Sequence, residues 1–178
     1  TGRCIIVVTP DAERTMNTYL GVSSNLGIPD LDEVAVADGN VLYMEGYLFD
    51  RDDAKAAFRR AADIAHANGR TVSLTLSDSF CVDRHRDDFR QLVADQVDLL
   101  FGNEDELLSL YQLTSFDAAV SELRAEGSRA ANTRGAAGCV VLTHDELIEV
   151  ATVPVERDGL RGRRAHVVLD VEDVQELL

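Results

Sequence analysis

The chain has 178 residues, enough for about one domain. Its formal charge of -15, from 17 basic and 32 acidic residues, argues against a general nucleic-acid surface, which would be basic. Apolar residues make up 46% and support a core, yet no run approaches the roughly 20 consecutive apolar residues of a membrane-spanning helix.

In chain order, residues 4–9 are short and β-branched and read as a strand. Pro10-Asp11-Ala12-Glu13 is turn chemistry, and residues 14–20 alternate like the returning strand of a hairpin. Residues 21–30 read as loop, 31–34 as one helical turn, and 40–48 as a second buried strand. The clearest helix spans 52–68: Ala54, Ala57, Phe58, Ala61, Ala62, Ile64 and Ala65 form a stripe at helical spacing, and Gly69 follows where a C-terminal cap belongs. Residues 71–76 read as a strand, 84–95 as a helix, 97–101 as a buried strand. A helix follows from Asn103, and another, capped by Ser115, runs to Gly127. Residues 139–143 and 147–150 look like a hairpin. Strands separated by helices of this length imply parallel β-α-β units with right-handed crossovers. The expected fold is therefore α/β with a mostly parallel sheet.

Three cysteines, Cys4, Cys81 and Cys139, are scattered and form no paired motif, as expected of small buried residues in a reducing cytoplasm. Thr1-Gly2-Arg3 runs straight into a strand and gives no signal peptide. The lack of an initiating Met suggests a chain that begins inside a longer protein. His66, His85, His144 and His166 share no ligand spacing and read as solvated. Arg84, Arg86 and Arg90 beside Asp87 and Asp88 read as a solvated helix face with i,i+4 pairs.

The stretch richest in chemistry is Phe101-Gly102-Asn103-Glu104-Asp105-Glu106, where a buried strand turns into an acidic helix start. In α/β folds, ligands collect at such carboxyl ends. Carboxylates in a first helical turn are stabilising by themselves, so capping explains them. The alternative is a metal held between the acidic turn and a phosphate, since Mg²⁺ takes both kinds of oxygen. Asn103 and Glu106, three apart, share one helix face. Thr133-Arg134-Gly135-Ala136-Ala137-Gly138 offers two glycines three apart, either an anion nest or a plain turn. Asp78 at a strand end is a site residue or a cap. Arg14 pairs with Asp11 or Glu13, or reaches a substrate. No G-x-S-x-G, H-E-x-x-H or Walker-type G-x-x-x-x-G-K occurs.

Five stretches in order carry a family resemblance: D-A-E-R-T-M-N-T-Y-L-G over 11–21, M-E-G-Y-L-F-D over 44–50, L-S-D-S-F-C-V-D-R-H-R over 76–86, D-L-L-F-G-N-E-D-E over 98–106 and T-R-G-A-A-G over 133–138. Together they resemble the ribokinase-like (PfkB-type) carbohydrate kinases, in the branch of bacterial adenosine-kinase type. The likeness covers roughly residues 2–157. It implies a three-layer α/β/α sandwich, incomplete here, with residues 1–20 as a lid-type hairpin and 158–178 as an aberrant tail. It implies ATP and Mg²⁺ as cofactors and phosphotransfer to a hydroxyl of a nucleoside or sugar in the cytoplasm. Its N-x-x-E element maps onto Asn103 and Glu106, with Glu106 as the metal-facing residue. Its T-x-G-x-x-G turn maps onto Thr133, Gly135 and Gly138 beside the nucleotide. No nucleic-acid or membrane partner is implied; a homodimer is.

The sequence departs from the family in two places. The family begins about a hundred residues earlier, and its D-T-x-G-A-G-D motif, which carries the catalytic aspartate, is replaced here by Asp158-Gly159-Leu160-Arg161-Gly162-Arg163-Arg164. No catalytic residue is assigned, and the chain is expected to be inactive. A shifted reading frame at 161–164 would explain the tail. A non-catalytic nucleotide-binding or interaction module is the alternative. Residues 128–132 are a poor version of the strand expected before Thr133, which predicts a poorly formed nucleotide side.

Overall fold

The computed structural model describes residues 2–10 and 14–152. Two sheets form. β1 (Arg3–Val8) and β2 (Arg14–Tyr19) pair antiparallel as a two-stranded ribbon. After 3-10 turns at Gly21–Asn25 and Ile28–Asp30 and a short helix α1 (Glu33–Asp38), the main sheet begins. Its strands are β3 (Val41–Glu45), β4 (Thr71–Thr75), β5 (Leu99–Asn103), β6 (Arg129–Thr133), β7 (Cys139–Leu142) and β8 (Leu147–Val150), lying side by side in chain order. β3 to β6 are parallel; β7 and β8 close the sheet antiparallel.

The connecting helices are α2 (Asp52–Ala67), α3 (Ser79–Arg84) with α4 (Arg86–Gln96), and α5 (Glu104–Tyr111) with α6 (Phe116–Ala125). Strands that advance in one direction through right-handed crossovers put every connection on the same face. Burial agrees. Met44, Leu74, Leu100, Ala130 and Val140 of the sheet join Phe58, Phe89, Leu107 and Leu123 of the helices in one core. A stacked pair, Phe49 on Phe89 with ring centroids 4.2 Å apart, ties the end of β3 to α4. Leu99, Cys139 and Val141 alternate to the other face and form a second small cluster, to which no described helix contributes. The fold is thus the expected ribokinase-like α/β with a mixed sheet. The described residues supply the sheet and one helical layer.

Several expectations change. The strand at 40–48 is an edge strand, not a buried one: it pairs on one side only, and Met44 alone among its residues is buried. The helix expected over 84–95 is two helices broken at His85. Asp78 starts the first of them, its Oδ1 accepting from the N–H groups of Phe80 (2.7 Å) and Cys81 (3.3 Å). The turn at 31–34 grows into α1. Residues 129–133 do form a strand, despite Ala and Asn being poor strand formers. It lies between β5 and β7 with both edges paired, so neighbours override propensity. Cys4 is exposed on the ribbon, unlike buried Cys81 and Cys139. The arginines serve contacts between elements rather than i,i+4 pairs: Arg84 meets Asp50, Arg90 meets Glu126, and Arg86 donates to the Ser109 carbonyl as well as to Asp83. His66 and His85 contact Asp98 and Asp50 rather than solvent alone, at 3.0 and 2.8 Å. His166 and the tail 158–178 lie outside the described residues.

Candidate functional site

β5 ends at Asn103 and α5 begins one residue later, so the helix start sits at the carboxyl edge of the sheet. Asn103 caps it. Its Oδ1 accepts from the Glu106 N–H at 2.9 Å, and its own N–H donates to Glu106 Oε2 at 3.0 Å. This is a reciprocal capping box. The Asn103 amide adds a third bond, Nδ2 to Glu106 Oε1 at 2.7 Å. The capping explanation therefore holds in full. It also leaves a carboxylate pinned at both oxygens and only 6% exposed. Burial raises the Glu106 pKa most; Asn103 bonds oppose that, and the Asp78 and Asp105 charges push it further up.

β6 runs parallel to β5, with Thr133 directly opposite Asn103. The glycine turn thus leaves the sheet one strand over from the acidic turn. Arg134 links the two: its Nε donates to Glu104 Oε2 at 3.4 Å, and its guanidinium lies over the Phe116 ring, 4.2 Å from the centroid. Its N–H closes the turn on the Gly138 carbonyl at 2.7 Å. The two glycines differ. Gly135 has φ +56 and open space where a Cβ would be. At Gly138, φ is +99 and a Cβ would fall 2.0 Å from the Val150 carbonyl oxygen. Packing against β8 alone accounts for glycine there. Asn103, Glu106, Thr133 and Gly135 come together at one edge, and Gly138 forms the base of the turn.

Sequence reasoning passed over Asn132. It faces Gly102 of β5 and Val140 of β7, is 2% exposed, and its Nδ2 has no hydrogen-bond partner. A Cβ built on Gly102 would lie 3.2 Å from that nitrogen and 3.4 Å from Glu106 Oε2. The available signal was an Asn inside a strand, where its type is depleted. Tyr47, just past β3, was passed over too. Partial burial raises its pKa, followed by the charges of Asp78, Glu106 and Glu45, which places four polar groups around the same edge. Asp78 combines both readings: it caps α3, and its charge reaches Glu106 and Tyr47. Arg14 lies exposed on β2, and its expected partners Asp11 and Glu13 lie outside the described residues.

Among the described residues no group of three or more His, Cys, Asp and Glu side chains could hold a metal alone. That suits Mg²⁺, which takes one or two carboxylates and draws its other ligands from phosphate and water. The orphaned Asn132 amide and the space kept open by Gly102 leave polar room beside Glu106 for such a hydrated group.

Comparison with known proteins gives a consistent picture. Residues 1–157 match the family model described as pfkB family carbohydrate kinase. A probable sugar kinase from Rhizobium etli CFN 42 is 46% identical, with a TM-score of 0.82, over 87% of this chain and 47% of that one. Adenosine kinase from Sinorhizobium meliloti is 45% identical, with a TM-score of 0.83, over 88% and 48%. A putative ribokinase II from E. coli, crystallised with ATP and Mg²⁺, is 21% identical with a TM-score of 0.76 over 88% of this chain and 51% of that one, and shares the fold. The chain spans about half the length of these structural relatives. None of the curated proteins matches. On the match over residues 1–157, this chain belongs to the pfkB carbohydrate kinase family.

Proposed function

We propose that the edge formed by the two turns binds ATP with Mg²⁺, and that the chemistry of the whole protein is phosphotransfer to a hydroxyl of a nucleoside or sugar, with adenosine-type substrates first. One observation carries this reading: Thr133 stands opposite Asn103 in parallel register, so the acidic turn and the glycine turn open onto a single edge. Glu106 would hold the cation directly or through water, Asn103 fixes the carboxylate, and Thr133, Gly135 and Gly138 would flank the nucleotide. Bound magnesium supplies neutralisation of the phosphate charge, which phosphoryl transfer needs more than covalent chemistry. The chain's own residues bind and orient.

The sequence offers no general base, because the D-T-x-G-A-G-D motif is replaced at 158–164. The chain alone therefore binds Mg-ATP without turning over. Calorimetry with Mg-ATP, paired with an ADP-release assay on adenosine, ribose and fructose phosphates, tests both halves. Binding without ADP release is expected. Robust turnover overturns the inactivity, and absence of binding overturns the nucleotide site. A non-catalytic nucleotide-binding module predicts the same binding, but with no competition from adenosine.

The cytoplasm is the proposed compartment; no helix of the described residues is long and apolar enough to cross a membrane. The β1–β2 ribbon, a lid-type hairpin in this reading, is the proposed surface of a homodimer.

A further inference from the structure

We infer that Asn132 and Glu106 hold one buried water molecule between them beside Gly102, and that through it Asn132 positions the carboxylate of the acidic turn. The amide is almost wholly buried, and its Nδ2 donates to nothing in the chain. An unsatisfied donor in such a place costs about 1–3 kcal/mol, so a strand position facing the core would ordinarily hold an apolar side chain. The nearest acceptor in view is Glu106 Oε2. Asn132 Nδ2 makes no hydrogen bond to it, yet both atoms lie within 3.4 Å of one point on Gly102. That is a span one water bridges, accepting from the amide and donating to the carboxylate. Glycine at 102 keeps the space open, since a methyl group would meet both groups and the Leu76 side chain, 3.2 Å away.

The water completes the hold on Glu106. Asn103 grips both oxygens from the strand end. The Asn132 water fixes Oε2 from the sheet side, so the remaining lone pairs face the edge where the glycine turn opens. Asn132 is a positioning residue, acting on a cation through Glu106. That second half rests on the Mg-ATP reading; the water itself does not.

The matched pair Asn132→Val and Asn132→Thr separates this role from packing. Both are β-branched and suited to a strand, and they differ by one hydroxyl donor. With Mn²⁺ and ATP as the probe, read by electron paramagnetic resonance, N132V should bind the cation about tenfold more weakly than the parent chain, the scale seen when an outer-shell partner is lost. N132T should recover most of that loss, and both should melt no lower than the parent. Equal cation affinity in the two variants, or no loss in N132V, overturns the positioning role. If the parent binds no Mn²⁺ with ATP, the nucleotide reading and this role fall together. The water is then judged alone in a high-resolution crystal structure of the chain: density within hydrogen-bond distance of both Asn132 Nδ2 and Glu106 Oε2 supports it. A direct amide–carboxylate contact or a dry gap overturns it.

Discussion

Glu106 is buried where a carboxylate is costly, and its pH response follows from that. Burial is the largest influence on its pKa and moves it upward. The folded chain therefore holds the Glu106 proton more tightly than the unfolded chain does. Its contribution to stability is fully present below the ordinary glutamate range and declines as pH rises through the raised value. Glu106→Gln cannot ionise, so it should lose this decline. Compared by urea denaturation across pH 4 to 8, the variant should gain on the parent as pH rises. A stability difference that is flat with pH would show that the carboxylate is not buried as described. Asp50 behaves oppositely: its bond to His85 leads in lowering its pKa, with Arg84 assisting, so its contribution is lost as pH falls. The difference between variant and parent isolates Glu106 from that background.

The turn between β6 and β7 shows what a single glycine does for an element. A side chain at Gly138 would strike the β8 backbone, and the residue sits at positive φ. Gly138→Ala should cost about 1–3 kcal/mol from backbone strain alone, with the clash adding to it. Gly135→Ala meets nothing and should cost about 1 kcal/mol, from its left-handed conformation. Chemical denaturation of the two variants orders them; equal losses would show that β8 does not pack there. The same region marks where sequence reasoning succeeded and failed. Asn103, Glu106 and the glycine turn were legible because caps and turns leave fixed residue types at fixed spacings. The helix over 52–68 was legible from its alanine stripe. β6 was not, because Arg129-Ala130-Ala131-Asn132 has none of the β-branched residues that mark a strand. It is a strand because two neighbours pair with it. Asn132 was missed with it, since a buried amide means something only once its strand and its facing glycine are known. The break at His85 was equally hidden: it accompanies bonds from the ring to Asp50 and Lys55, some thirty residues away in sequence.

At the scale of the molecule, the ribbon and the six-stranded sheet are unequal partners. Every described residue of β1 and β2 is exposed, including Ile5, Ile6, Val7, Val8 and Met16. A lone two-stranded hairpin is marginally stable in water, and such an apolar surface favours association. Removing residues 2–20 should leave the unfolding midpoint of the main sheet unchanged and abolish concentration-dependent self-association in sedimentation velocity. A lower midpoint would mean that the ribbon braces the core; unchanged association would move the contact elsewhere. The main sheet carries a different consequence. Its two turns depart from facing rungs of a parallel ladder, and adjacent rungs stand about 4.8 Å apart in any sheet. The width of the mouth is consequently main-chain property, indifferent to which side chains line it. Deleting one residue within 129–132 would turn Asn132 to the opposite side of the sheet while leaving that width intact, dividing the shape of the cleft from its chemistry.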